Sequence, residues 1–214
     1  AFQLKRARLP ALFGAGLLGV SLWPIAHEIF LLNETIGLAT LSEERIEAAR
    51  QLLDSWHTVS PLLVLGSLSL APAVCEELLF RGYLMRALLA ATSPRKAILI
   101  SAGLFGLFHV LAGHVLMTER LLPSTFLGLI LGWVCWRSRS VLPGMLLHAL
   151  HNGVLLMMGY YREELVRRGW GIQERSHMPM DWLAMATVGL VIGLALVWYA
   201  GRATSTGSTG KSNV

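Results

Sequence analysis

Charge is what this sequence has least of. Asp, Glu, Lys and Arg make up 14% of its 214 residues, against roughly 25% in soluble domains. So few ionisable groups cannot clothe a water-facing surface, which excludes an ordinary soluble globular domain. Cysteine is nearly absent too. Cys75 and Cys135 lie far apart in apolar runs and read as small buried hydrophobes, so a disulfide framework is excluded. Neither CxxC nor HExxH occurs, and sulfur-ligated or zincin-type metal sites therefore lack support. The formal net charge of +5 invites a nucleic-acid partner. The basic residues instead sit in short clusters between apolar segments, which is how membrane proteins fix their orientation; no nucleic acid is expected.

What the chain has in abundance is apolar sequence: 54% hydrophobic residues and a mean hydropathy of +0.57. At about 20 apolar residues per crossing, six spans emerge, at about 9–32, 59–84, 97–117, 122–136, 141–160 and 182–200. The fourth is short, and the first is broken at Pro24, with His27 and Glu28 placed at an interface. The expected fold is all-α, a polytopic membrane bundle with one amphipathic surface helix. That helix is the stretch between the first two spans, where Thr40 and Glu43 form a capping box and Ile46, Ala49, Leu53 and Trp56 share a face. Residues 1–8 form a cationic stub; because the chain begins at Ala1 it reads as a cut from a longer protein. Residues 9–202 form the single domain, with a motif core at 59–160, and 203–214 a flexible Ser/Thr/Gly tail.

Six crossings leave both termini on one side. That side collects Lys5, Arg6, Arg8, Arg86, Arg95, Lys96, Arg137, Arg139, Arg202 and Lys211; the other collects Arg45, Arg50, Arg120, Arg162, Arg167, Arg168 and Arg175. The excess of ten over seven puts the termini in the cytoplasm of a multi-pass membrane protein, in the inner membrane if the source is bacterial.

Ionisable groups at membrane depth are costly, so the adjacent carboxylates Glu76 and Glu77 mark a functional site. Glu77 and Arg81, four residues apart on a helix, can pair, while Glu76 points about 100° away and stays available as a general base toward water. A helix-end ion pair accounts for Glu77 and Arg81 but leaves Glu76 unexplained. His148 and Asn152 share a face of the fifth span and could donate to an oxyanion; mid-bundle hydrogen bonding between helices is the plainer alternative. His109 lies in the third span; His114 and His151 are weaker candidates. By helical rise, Glu76, His109 and His148 lie roughly 15, 18 and 10 Å in from the same side.

Glu76-Glu77-Leu78-Leu79-Phe80-Arg81 is EExxxR, Phe105 to His109 is FxxxH, and His148 to Asn152 is HxxxN. In this order, and with Phe80-Arg81-Gly82-Tyr83-Leu84 around the first, the three motifs resemble the CAAX protease and bacteriocin-processing (CPBP, or ABI) intramembrane endopeptidases. The resemblance covers about 61–160. It implies a glutamate-type protease that cuts a peptide bond near the cytoplasmic membrane face. Glu76 and His109 would activate water, His148 and Asn152 would form the oxyanion hole, and Glu77 would assist. Arg81 and Phe105 would support the site. No cofactor is implied. A zinc enzyme, with Glu76, His109 and His148 as ligands, is the alternative mechanism. The partners implied are the bilayer and a peptide or protein substrate, lipidated in eukaryotic relatives. The rival class is a non-catalytic scaffold, or the permease-associated domain of a transporter fused upstream.

Overall fold

Proline placement accounts for where most of the helices begin. A computed structural model describes residues 4–38, 43–112, 117–169 and 176–202. Pro10, Pro24, Pro61, Pro94 and Pro143 each stand in the first turn of a helix, where a missing N–H costs nothing and φ is already helical. In chain order the helices are α1 (Leu9–Ser21), α2 (Trp23–Thr35), α3 (Glu43–Trp56), α4 (Pro61–Ala91), α5 (Pro94–Leu111), α6 (Leu121–Ser138), α7 (Leu142–Tyr160), α8 (Arg162–Arg167) and α9 (Met180–Arg202). Among the described residues there is no strand.

Five of these, α4, α5, α6 with its preceding turn, α7 and α9, are long and apolar enough to cross a membrane. The α1–α2 pair, bent by 47°, supplies a sixth. The protein is an all-α, multi-pass membrane bundle. The break in the first span falls at Leu22 rather than Pro24, because Pro24 opens the second helix instead of ending the first. The fourth span is not short: α6 runs 18 residues, since Arg137 and Ser138 continue the helix beyond its apolar stretch.

Burial is inverted relative to a soluble protein. Leu62 is 78% exposed and Phe13 70%, which in water would be an aggregation surface and in lipid is a matched one. The interior is a cluster of Leu18, Leu22, Phe80, Phe105, Leu131, Leu147 and Val197, among others. With lipid as solvent, helices associate through close packing of small residues. Gly193 on α9 has no room for a side chain against Leu18 of α1, and Gly19 on α1 none against Leu147 of α7.

Helix α4 is wide-turned in two places, Gly66–Leu70 and Leu78–Leu84, where hydrogen bonding follows the i→i+5 pattern. Pro72 gives the first a cause. Its ring cannot sit over the carbonyl of a regular preceding turn, and widening that turn makes room. The second begins directly after Glu77 and carries Arg81. Helix widening of this kind recurs at functional sites.

The expected surface helix is α3, lying over the end of α7: Leu53 rests on Gly159, and the His57 ring packs 4.5 Å from that of Tyr160. Ile46 is buried as expected, but Ala49 is exposed, and Arg50 is half-buried beside the predicted face. Thr40 and the Glu43 side chain of the expected capping box, His114, residues 1–3, Arg175 and the tail from Ala203 lie outside the described residues. The reading of the cysteines is corrected too. Cys135 is buried, but Cys75 is exposed, because its neighbours Glu76 and Glu77 occupy the inward face of α4 and turn it outward.

Candidate active site

Arg81 sets the floor of the site. Its side chain and that of Glu77 are both fully buried, and Nη1 donates to Glu77 Oε1 at 2.5 Å. Isolated, either charge would be prohibitively costly at this depth; together, with further hydrogen bonds, they are tolerable. The further partners are present. Arg81 Nη2 donates to the Gly128 carbonyl at 3.0 Å, and the guanidinium lies 4.4 Å over the Phe105 ring. Gly128 can offer that carbonyl so close because α5 and α6 touch there without an intervening side chain, its Cα facing Ala102.

Phe105 is a plate beneath the other groups as well. Its ring centroid lies 4.4 Å from that of His109 and 5.6 Å from that of His148. One turn on from Phe105, His109 Nδ1 meets the Phe105 carbonyl at 2.9 Å. A carbonyl can only accept, so Nδ1 carries the proton and Nε2 is left facing inward. Glu76 Oε2 lies 3.6 Å from that Nε2 and 3.9 Å from His148 Nε2. His148, 1% exposed, has its other nitrogen, Nδ1, 3.3 Å from Glu77 Oε1. A single imidazole on α7 therefore spans both glutamates of α4.

Glu76 and His109 keep partial access to the outside, with side chains 17% and 20% exposed. Oε2 of Glu76 and Oε2 of Glu77 are without hydrogen-bond partners among the described residues. Glu76, Glu77, Arg81, Phe105, His109 and His148 thus come together from three helices. Asn152 lies one turn beyond His148 on the same helix, half-buried, and its side chain forms no hydrogen bond with any described residue. His151 is buried with Nδ1 unpartnered among the described residues and touches neither glutamate. No group of three or more His, Cys, Asp or Glu side chains among the described residues is arranged to hold a metal ion.

Residues 58–154 match the family model described as Type II CAAX prenyl endopeptidase Rce1-like. Over that segment, a little under half of its length, the chain is similar to the CAAX protease family. No curated protein and no solved structure matches it. At the level of the family, this likeness supports a peptide hydrolase. All three motifs fall inside the matched segment.

Two contributors to this cluster carry no motif in the sequence. Gly144 stands one turn before His148; a Cβ there would lie 3.0 Å from Glu77 Oε2, so only hydrogen leaves that carboxylate its place. Its spacing of four from His148 was a usable signal. Ser69 on α4 donates to the Ala149 carbonyl of α7 at 2.5 Å and ties together the two helices that carry the glutamates and His148. Nothing in the local sequence distinguished it from Ser67.

Proposed function

We propose that the chain hydrolyses a peptide bond with water activated by Glu76 and His109, without a metal. The observation that carries this reading is the Glu76–His109 pair. At 3.6 Å the two are beyond a direct hydrogen bond. His109 has its Nδ1 proton engaged with Phe105, so a carboxylate oxygen and an Nε2 lone pair face the same small space. One water there can give both its protons to acceptors. In the proposed step the water oxygen attacks the scissile carbonyl carbon as its proton passes to Glu76. Collapse of the tetrahedral intermediate then breaks the C–N bond, and Glu76 returns the proton to the leaving amine.

In this reading His148 carries a proton on each ring nitrogen: Nδ1 donates to Glu77 Oε1, and Nε2, together with the Asn152 amide, donates to the oxyanion. Neither Glu77 nor Arg81 reacts; they hold His148 from below through Nδ1. Asn152 is supported for its role by what it lacks: a half-buried amide with no described partner has its donors available. The substrate is a peptide segment held at the membrane, where a lipid-modified chain end would place it.

The test is cleavage of a peptide library by the purified full chain in detergent, before and after treatment with a strong chelator. Cleavage unchanged by the chelator is expected. Cleavage that dies on stripping and returns with added zinc would replace the metal-free route with a metalloprotease one.

A further inference from the structure

We infer that Ser69 is a positioning residue for the reaction: from the first widened turn of α4 it sets α7 so that Asn152 reaches the oxyanion. The inference rests on the oxyanion role proposed above for Asn152. Ser69 is 4% exposed in a helix whose outer face meets lipid. A hydroxyl buried there is costly unless it finds a partner, and it finds one on the facing helix. Its Oγ donates to the Ala149 carbonyl at 2.5 Å. Ala149 stands between His148 and Asn152 on α7. With lipid as solvent, a side-chain hydrogen bond between helices is one of the few directional contacts that can fix how they sit together.

The widened turn is what aims Ser69 at α7. Along α4 the buried positions up to the site are Val64, Ser69, Ala73 and Glu77. Ser69 to Ala73 and Ala73 to Glu77 are steps of four, the spacing of a regular turn. Val64 to Ser69 is a step of five, the spacing of the i→i+5 turn at Gly66–Leu70. A regular step from Val64 would have turned Leu68 inward; Leu68 is 40% exposed instead. The widening that makes room for Pro72 therefore also brings a hydroxyl into line with Glu77.

Helix α7 is thus held on α4 at two levels. The first is Glu77, where His148 Nδ1 lies 3.3 Å from Oε1 and Gly144 leaves the carboxylate its place. One such hold leaves a helix free to pivot about it. Ser69 lies two turns from Glu77, roughly 12 Å along the axis, and removes that freedom. The backbones approach closely there: a Cβ on Gly153 would lie 3.4 Å from Ser69 Oγ. The two oxyanion donors depend on this second hold unequally. His148 is oriented by Glu77 directly. The Asn152 side chain forms no hydrogen bond with any described residue, so its place follows from the backbone that Ser69 holds.

The experiment is a double-mutant cycle between Ser69→Ala and Asn152→Ala. It is read as kcat and KM of the purified full chain in detergent on one fluorogenic peptide taken from the cleaved library, with the melting temperature of every variant alongside. Ser69→Ala should lower kcat about tenfold with KM little changed, less than the roughly 10²-fold that a 1 Å misplacement can cost. Added to Asn152→Ala it should lower kcat by no more than about twofold, because the group it positions is already gone. Ser67→Ala, on the exposed side of the same turn, should leave kcat unchanged. If Ser69→Ala melts below the assay temperature, Ser69→Cys, of similar shape and a weaker donor, takes its place in the cycle. A folded Ser69 variant with the parent's kcat, or a cycle in which the two losses multiply as independent defects do, would overturn the positioning role alone. An Asn152→Ala variant with the parent's kcat would overturn the oxyanion reading, and this inference with it.

Discussion

Replacing Arg81 by Ala should be among the most damaging single changes outside the reacting groups, and the structure says by how much. Both members of the Glu77–Arg81 pair are fully buried, so the substitution leaves a carboxylate at membrane depth without its cation. Breaking a buried pair by removing one partner costs about 3–5 kcal/mol. The hydrogen bond to the Gly128 carbonyl and the stacking on Phe105 are lost with it, and being coupled to the pair they do not simply add. For a chain of this size each kcal/mol moves the melting temperature by roughly 2–4 °C, so a fall of roughly 6–20 °C is expected. Thermal melting of the purified protein in detergent measures it. The diagnostic partner is the double variant Glu77→Gln, Arg81→Met, which removes both charges and fills the space. It should recover more than half of the loss, because the penalty lies in the orphaned charge and not in the missing bond. An Arg81→Ala variant melting within about 2 °C of the parent, or a double variant no better than the single, would refute the reasoning.

Other consequences are smaller or more local. Gly144→Ala should lower turnover on the order of tenfold with little loss of stability, since its Cβ would press on Glu77 and shift His148; steady-state rates and melting points of one preparation check both halves. His109→Ala should be nearly as severe as loss of Glu76, whereas Asn152→Ala should cost roughly 10²–10³ in rate, the usual toll of one oxyanion donor. Their kcat values, compared on a common peptide, decide the order.

Hydropathy made the bundle legible because lipid requires long apolar helices that satisfy their own backbone; the prolines that open helices were not used for the boundaries, and Pro24 reads as a break where it opens α2. The site was legible through spacing: Glu77 with Arg81, and Phe105 with His109, meet where a helical turn puts them. What stayed hidden depends on contacts between helices. Gly128 lends a carbonyl and Gly144 a vacancy only because of what packs opposite; no periodicity marks Gly128, and Gly144 is marked only by its spacing of four from His148. The outward Cys75 was misread for a related reason: an apolar neighbourhood predicts removal from water, and in a membrane a lipid-facing position satisfies that as well as a core one. The widened turns of α4 were also invisible, although Pro72 supplies a cause for the first.

The central claim is that Glu76 is the base for an attacking water. Its most direct test is the turnover of Glu76→Gln against the parent on a cleaved peptide, in the same chelator-treated detergent preparation, with melting temperatures alongside. Glutamine keeps the shape and can still hydrogen-bond near His109 and His148, but it cannot take a proton from water. The account predicts cleavage reduced to background in a protein that melts within a few degrees of the parent. A folded Glu76→Gln protein that still cleaves at a rate close to the parent's would contradict it.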